Sequence, residues 1–174
     1  MTGFCELVLG GARSGKSTLA EQRAVNSGLE LIYVATATAD DGEMNERIAH
    51  HQRRRGAEWA LVEEPVALAD TLQRHQHSER CIVVDCLTLW LSNCLHQQCW
   101  EREKVRLLEV LPQLAGHIVL VSNETGLGVV PMGELSRRFV DEAGFFHQQL
   151  ATLCQQVTLT VAGLPLALKA PRGE

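Results

Sequence analysis

The 174-residue chain is missing the features that mark several large protein classes. No stretch approaches the ~18 consecutive apolar residues a membrane-spanning helix needs. The opening Met1-Thr2-Gly3-Phe4 has neither the basic region nor the apolar segment of a secretory leader, so a cytoplasmic protein is expected. There is no excess of positive charge: 16 Lys and Arg stand against 21 Asp and Glu, a net charge of −5. That argues against a general nucleic-acid or acidic-membrane surface and leaves any polyanion to local cations and backbone dipoles. Aromatic residues make up only 5%, and no platform for stacking bases is evident. No proline- or serine-rich linker, internal repeat or low-complexity block interrupts the chain. The six cysteines (Cys5, Cys81, Cys86, Cys94, Cys99 and Cys154) include no C-x-x-C pair, and His96 between Cys94 and Cys99 matches no usual zinc spacing. Buried reduced thiols are expected, and no structural metal.

What is present fits one domain, spanning 1–174. With 45% hydrophobic and 21% charged residues the chain can bury one sizeable core. Short apolar runs alternate with longer amphipathic stretches, the pattern of an α/β protein whose mainly parallel sheet is flanked by helices. The strands expected are Glu6–Leu9, Leu31–Ala35, Trp59–Val62, Cys81–Asp85, Ile118–Ser122 and Val157–Val161. The helices expected are Lys16–Asn26, Gly42–Arg55, Val66–His75, Leu87–Leu95, Trp100–Ala115 and Gly133–Gln155. The tail Pro165–Glu174 is expected to fray.

Gly10-Gly11-Ala12-Arg13-Ser14-Gly15-Lys16-Ser17 fits G-x-x-x-x-G-K-[ST] and directly follows an apolar strand. In such a loop the glycines let backbone N–H groups turn onto a polyphosphate. Lys16 adds a charge at the β/γ oxygens, and the Ser17 hydroxyl can bind Mg²⁺ at the start of the following helix. The apolar run Cys81-Ile82-Val83-Val84 ends in Asp85, suited to orienting the same Mg²⁺ shell, or to capping a turn. Ser122 through Pro131 packs polar groups, Gly126 and Gly128 after another strand, where open α/β sheets bind ligands and also where they simply turn. His50-His51 precede Gln52-Arg53-Arg54-Arg55. Read alone, these are an exposed basic helix end, or a nucleophilic imidazole with guanidiniums placed to stabilise phosphoryl oxygens.

Taken in order, the P-loop, Tyr33-Val34-Ala35-Thr36-Ala37, Glu43-Met44-Asn45-Glu46-Arg47-Ile48-Ala49-His50-His51, Ser122 through Pro131, and Val161-Ala162-Gly163-Leu164-Pro165 cover nearly the whole chain. This set resembles the bifunctional adenosylcobinamide kinase/adenosylcobinamide-phosphate guanylyltransferases of cobalamin biosynthesis. The resemblance implies a RecA-like P-loop domain that phosphorylates adenosylcobinamide with ATP or GTP and then transfers GMP from GTP onto that phosphate. It implies that His50 is the guanylylated residue. It also implies nucleotide contacts at Gly10 through Ser17, Ala35, Thr36, Ala37, His51, Gln52, Arg53, Arg54, Glu63 and Asp85, and a homotrimer. Glu63 beside Glu64 can equally be an exposed acid. No N-K-x-D motif is visible, so guanine selectivity comes from the resemblance alone. The competing readings are a P-loop small-molecule kinase without nucleotidyl transfer, and a nucleotide-operated binding switch. Neither predicts a nucleotide on histidine.

Overall fold

A computed structural model describes residues 3–37 and 56–171. Seven strands form one sheet in the order β3-β2-β4-β5-β1-β6-β7. In chain order the strands are β1 Phe4–Gly10, β2 Glu30–Ala35, β3 Trp59–Glu63, β4 Arg80–Asp85, β5 His117–Asn123, β6 Gln156–Val161 and β7 Leu164–Lys169. All neighbouring pairs are parallel except β6 with β7. The central strands read as near-continuous Val, Ile and Leu because both of their faces are covered.

Among the described residues the helices are α1 Lys16–Asn26, α2 Leu68–His75, α3 Leu87–His96, α4 Trp100–Val110 and α5 Glu134–Leu153. Helix α1 buries Ala20 and Ala24 on one face of the sheet, against Val8, Tyr33, Val83 and Val119. Helices α2 to α5 cover the opposite face, where Leu7, Ile82 and Leu120 meet a cluster built on Trp90, Trp100 and Phe146. These three rings touch at centroid separations of 5.2–5.7 Å. Both indole N–H groups find acceptors inside: Trp90 donates to the Val66 carbonyl and Trp100 to Glu142 Oε2, each at 2.7 Å. Truncating any of the three aromatics to alanine would cost about 3–5 kcal/mol.

One charge lies inside the sheet. Glu6, 1% exposed on β1, accepts from Arg23 of α1 and lies 2.8 Å from His117 Nε2 on β5, while Arg23 also donates to Thr158 Oγ1 on β6. Helix α1 is thereby tied to β1 and β6 directly and to β5 through Glu6.

The expected elements recur with two corrections, and the helix expected over Gly42–Arg55 lies outside the described residues. The stretch Trp100–Ala115 is helical only to Val110, because Pro112 diverts Leu111–Gln113 into a single 3₁₀ turn. The tail does not fray over its first half. Val161 pairs with Leu164 across a two-residue turn in which Ala162 and Gly163 both have positive φ, 52° and 76°, the geometry of a tight hairpin. Pro165 is tolerated there because β7 is an edge strand. The six cysteines are free, four of them buried and two half-buried. Burial pushes the Cys81 thiol up to about 12.

Candidate functional site

The carboxyl ends of β2, β4, β5 and β1 are consecutive in the sheet, and the sequence-predicted phosphate loop leaves the last of them. Gly10 closes β1 where no side chain fits. A Cβ there would collide with Ser14 Oγ and come within 2.7 Å of the Thr160 carbonyl. Gly15, at φ 90°, turns the chain into α1. No side chain caps the N terminus of that helix, and its first turn carries no acid. Its unsatisfied N–H groups and positive dipole end are therefore left for an anion. Lys16 is nearly buried and folds back across the loop, its Nζ donating to the Gly11 carbonyl at 3.1 Å. Ala12 and Arg13 are exposed at the loop's tip, and Ser17 is half-buried in the first helical turn.

Asp85 ends β4, half-buried, with its Oδ2 accepting a 2.7 Å hydrogen bond from the buried Tyr33 hydroxyl of β2. That bond fixes one carboxylate oxygen. The adjacent Cys86 thiol is raised by burial and by the Asp85 charge, and the Lys16 ammonium is near enough to counter part of that rise.

Ala35 and Thr36 continue β2 beside Asp85, but both are buried. The Thr36 hydroxyl donates to the Cys86 carbonyl at 2.7 Å and accepts from the Cys86 N–H at 2.9 Å. Its side chain therefore braces β2 against β4, and the half-buried Ala37 is the member of the triplet that approaches solvent. Glu63 stands exposed at the end of β3, in register with Ala35. Glu64 instead turns inward to accept from the N–H groups of Val66 and Ala67, 2.8 and 2.7 Å, ahead of α2. The two adjacent acids have different jobs. His50, His51, Gln52, Arg53 and Arg54 lie outside the described residues.

The end of β5 ties directly into the phosphate loop: the Glu124 N–H donates to the Gly10 carbonyl at 2.9 Å. Asn123 Nδ2 donates to Thr88 Oγ1 at 2.9 Å. Below it, buried Ser122 Oγ and His147 Nε2 of α5 are 2.7 Å apart. Burial pushes His147 below the ordinary histidine range, opposed by the Glu124 charge. Thr88 and His147 carry no sequence signal of a site role, and Tyr33 and Cys86, met in the sequence only within the Tyr33-to-Ala37 segment and among the thiols, carried no assigned site role. No local pattern marks them, because each partner comes from a distant part of the chain. The segment beyond Glu124 carries Leu127, Val129, Val130 and Met132 into solvent.

Comparison with known proteins agrees with this geometry. The sequence model of the family described as "Cobinamide kinase / cobinamide phosphate guanyltransferase" matches residues 6–168. A bifunctional adenosylcobalamin biosynthesis protein CobP from Pseudomonas aeruginosa is 60% identical over 167 residues, 94% of this chain and 96% of its own. The bifunctional adenosylcobalamin biosynthesis protein CobU from Escherichia coli is 32% identical over 179 residues, 94% of this chain and 98% of its own. Among solved structures, the flagellar accessory protein FlaH from Methanocaldococcus jannaschii covers 98% of this chain and 80% of its own, with a TM-score of 0.56 and 11% identity. The RadB recombinase covers 91% and 74%, with a TM-score of 0.53 and 21% identity. At such identities the likeness is one of fold alone, that of the RecA-like P-loop domains.

Proposed function

We infer that this chain, which belongs to the cobinamide kinase / cobinamide phosphate guanyltransferase family, is a bifunctional enzyme of adenosylcobalamin assembly. It phosphorylates adenosylcobinamide and then joins GMP from GTP to the new phosphate. The observation that carries the assignment of residues is that the uncapped α1 N terminus with Lys16, and Asp85, stand at the carboxyl ends of β1 and β4 with only β5 between them, within a chain that matches the family from residue 6 to 168.

In the first step the hydroxyl oxygen of the aminopropanol arm attacks the γ-phosphorus of ATP or GTP, the bond to the bridging oxygen breaks, and the nucleoside diphosphate leaves. The backbone N–H groups of Gly11 through Lys16 hold the β-phosphate region, and Lys16 exchanges its contact with the Gly11 carbonyl for the β/γ oxygens. Mg²⁺ fits this donor set: the Ser17 hydroxyl and the Asp85 carboxylate are hard oxygen ligands, and Tyr33 already orients the latter. When bound it neutralises charge on the phosphoryl oxygens.

In the second step a ring nitrogen of His50 attacks the α-phosphorus of GTP, forming a P–N bond as pyrophosphate leaves. A phosphate oxygen of adenosylcobinamide phosphate then displaces histidine to give adenosylcobinamide-GDP. Arg53 and Arg54 fit the stabilisation of the transferring phosphoryl oxygens, with His51, Gln52 and Glu63 completing the nucleotide contacts. One sheet joins all the described elements, which supports reading 1–174 as a single catalytic domain. A homotrimer follows from the family resemblance. No helix among the described residues is long and apolar enough to cross a membrane, in keeping with a cytoplasmic enzyme.

GTP labelled at the α-phosphate, followed by denaturation and intact-mass analysis, tests this reading. The expected result is a GMP adduct, acid-labile and base-stable, that peptide mapping places on His50 and that His50→Ala abolishes while kinase activity persists. A label on another residue, or full guanylyl transfer by His50→Ala, would overturn the role of His50, and the absence of both adduct and guanylyl transfer in the unmodified protein would leave a simple P-loop kinase.

A further inference from the structure

The phosphate loop divides the sheet's carboxyl edge into two flanks. Strands β5, β4, β2 and β3 lie to one side of β1, and β6 and β7 to the other. On the first flank stand Asn123, Asp85, Thr36 and Glu63. On the second, the β6–β7 turn presses against the loop itself. The Gly163 N–H donates to the Ser14 carbonyl at 2.8 Å, and a Cβ on Gly15 would sit 3.2 Å from Gly163 Cα. Ser14 Oγ and Thr160 Oγ1, one on each side of this seam, are buried without hydrogen-bond partners. Val161 and Leu164 face each other across the turn, so their side chains share one face of the hairpin. They are 57% and 71% exposed: apolar surface left in solvent beside a polyphosphate cradle.

Phosphoryl transfer fixes the direction of the donor. Its γ-phosphorus must lie where Lys16, Asp85 and the acceptor can reach it, which is the β4–β5 flank. The nucleoside must then leave the loop on the other side. We propose that the β6–β7 turn, with Val161 and Leu164 as its apolar wall, binds the nucleoside of the phosphoryl donor. This inference rests on the P-loop reading above. It also separates the two half-reactions. Guanylyl transfer presents the α-phosphorus in place of the γ, and Glu63, one of the nucleotide contacts proposed above, stands on the opposite flank. The two donors thus lay their nucleosides in opposite directions across one loop. A wall of aliphatic side chains contacts the faces of adenine and guanine alike, which matches a phosphorylation step open to both nucleotides.

The test compares a nucleotide with a probe that has no nucleoside. Val161→Ser and Leu164→Trp replace exposed side chains, so the full-length protein keeps its fold, checked by circular dichroism. KM for ATP and for GTP is measured in adenosylcobinamide phosphorylation, together with inhibition by inorganic tripolyphosphate. Val161→Ser is expected to raise both KM values roughly ten-fold and Leu164→Trp to lower them, as apolar contact with the base is lost or gained. Tripolyphosphate inhibition should stay within about two-fold of the unmodified protein. Equal shifts for nucleotide and tripolyphosphate would overturn the proposal by showing that the turn only shapes the loop. Unchanged KM values would overturn it too, and a change of oligomeric state alongside them would identify a second copy as the occupant of this face. If tripolyphosphate fails to inhibit the unmodified protein at all, the P-loop reading falls and takes the proposal with it.

Discussion

The Tyr33 hydroxyl reaches from β2 to the adjacent β4 and donates to Asp85 Oδ2 at 2.7 Å. This buried ring thereby sets the orientation of the Asp85 carboxylate. Tyr33→Phe removes that single bond while keeping the ring's edge contact with Trp59. Its expected effect is a kcat loss of about 3–10-fold, with stability changed by no more than about 1 kcal/mol. Asp85→Asn should lose about 10²-fold. Kinase rates over a Mg²⁺ titration decide it: a raised Mg²⁺ midpoint in both variants assigns the pair to metal organisation, and unchanged midpoints make Asp85 a strand cap.

Lys16→Ala should depress both half-reactions by about 10²-fold or more, since one ammonium serves the phosphates in each. The side chain's contact in the free protein is a hydrogen bond to the Gly11 carbonyl, so the fold should survive its loss. Nucleotide titration and both turnover assays, on a variant with unchanged circular dichroism, check this. Near-normal values in both would remove Lys16 from the site.

Stability should fall on mild acidification through His147. Burial lowers this imidazole below its unfolded value of about 6.5, so the unfolded chain binds the proton first. The contribution is complete above pH ~6.5 and is lost as pH drops from there towards the lower folded value, because unfolding then takes up a proton. Urea midpoints measured from pH 7.5 down to 5 should decline for the unmodified protein, and less steeply for His147→Gln, which keeps a polar partner for Ser122. Parallel declines would clear His147 of the effect.

The legible parts of the molecule were those whose signal is local. Strands buried on both faces announce themselves as apolar runs, and Cys81 to Val84 ending in Asp85 marked both a strand and a candidate ligand. The phosphate loop is legible because a tight backbone cradle needs glycine at fixed spacing. Strand β7 was not, since an edge strand with a proline and solvent-facing leucines has the composition of a loose tail. Nor was the brace between Thr36 and Cys86, 50 residues apart in sequence, which turns an expected ligand hydroxyl into a structural one. Ser122 and His147 lie 25 residues apart on a strand and a helix, and only the packing of α5 on the sheet brings them together.

The charge inside β1 bears on how the chain is made. Glu6 lies 111 positions before its β5 partner His117, and its neighbour Cys5 lies 150 positions before Gln155. During synthesis β1 therefore waits for β5 and then β6 to emerge before its two sides can be paired. Phe4, Cys5, Leu7, Val8 and Leu9 would otherwise form an unbroken sticky segment over that interval. A hydrated glutamate in their midst works as a gatekeeper against premature pairing with other nascent chains, and it is withdrawn into contact with Arg23 and His117 once the strand's true neighbours arrive.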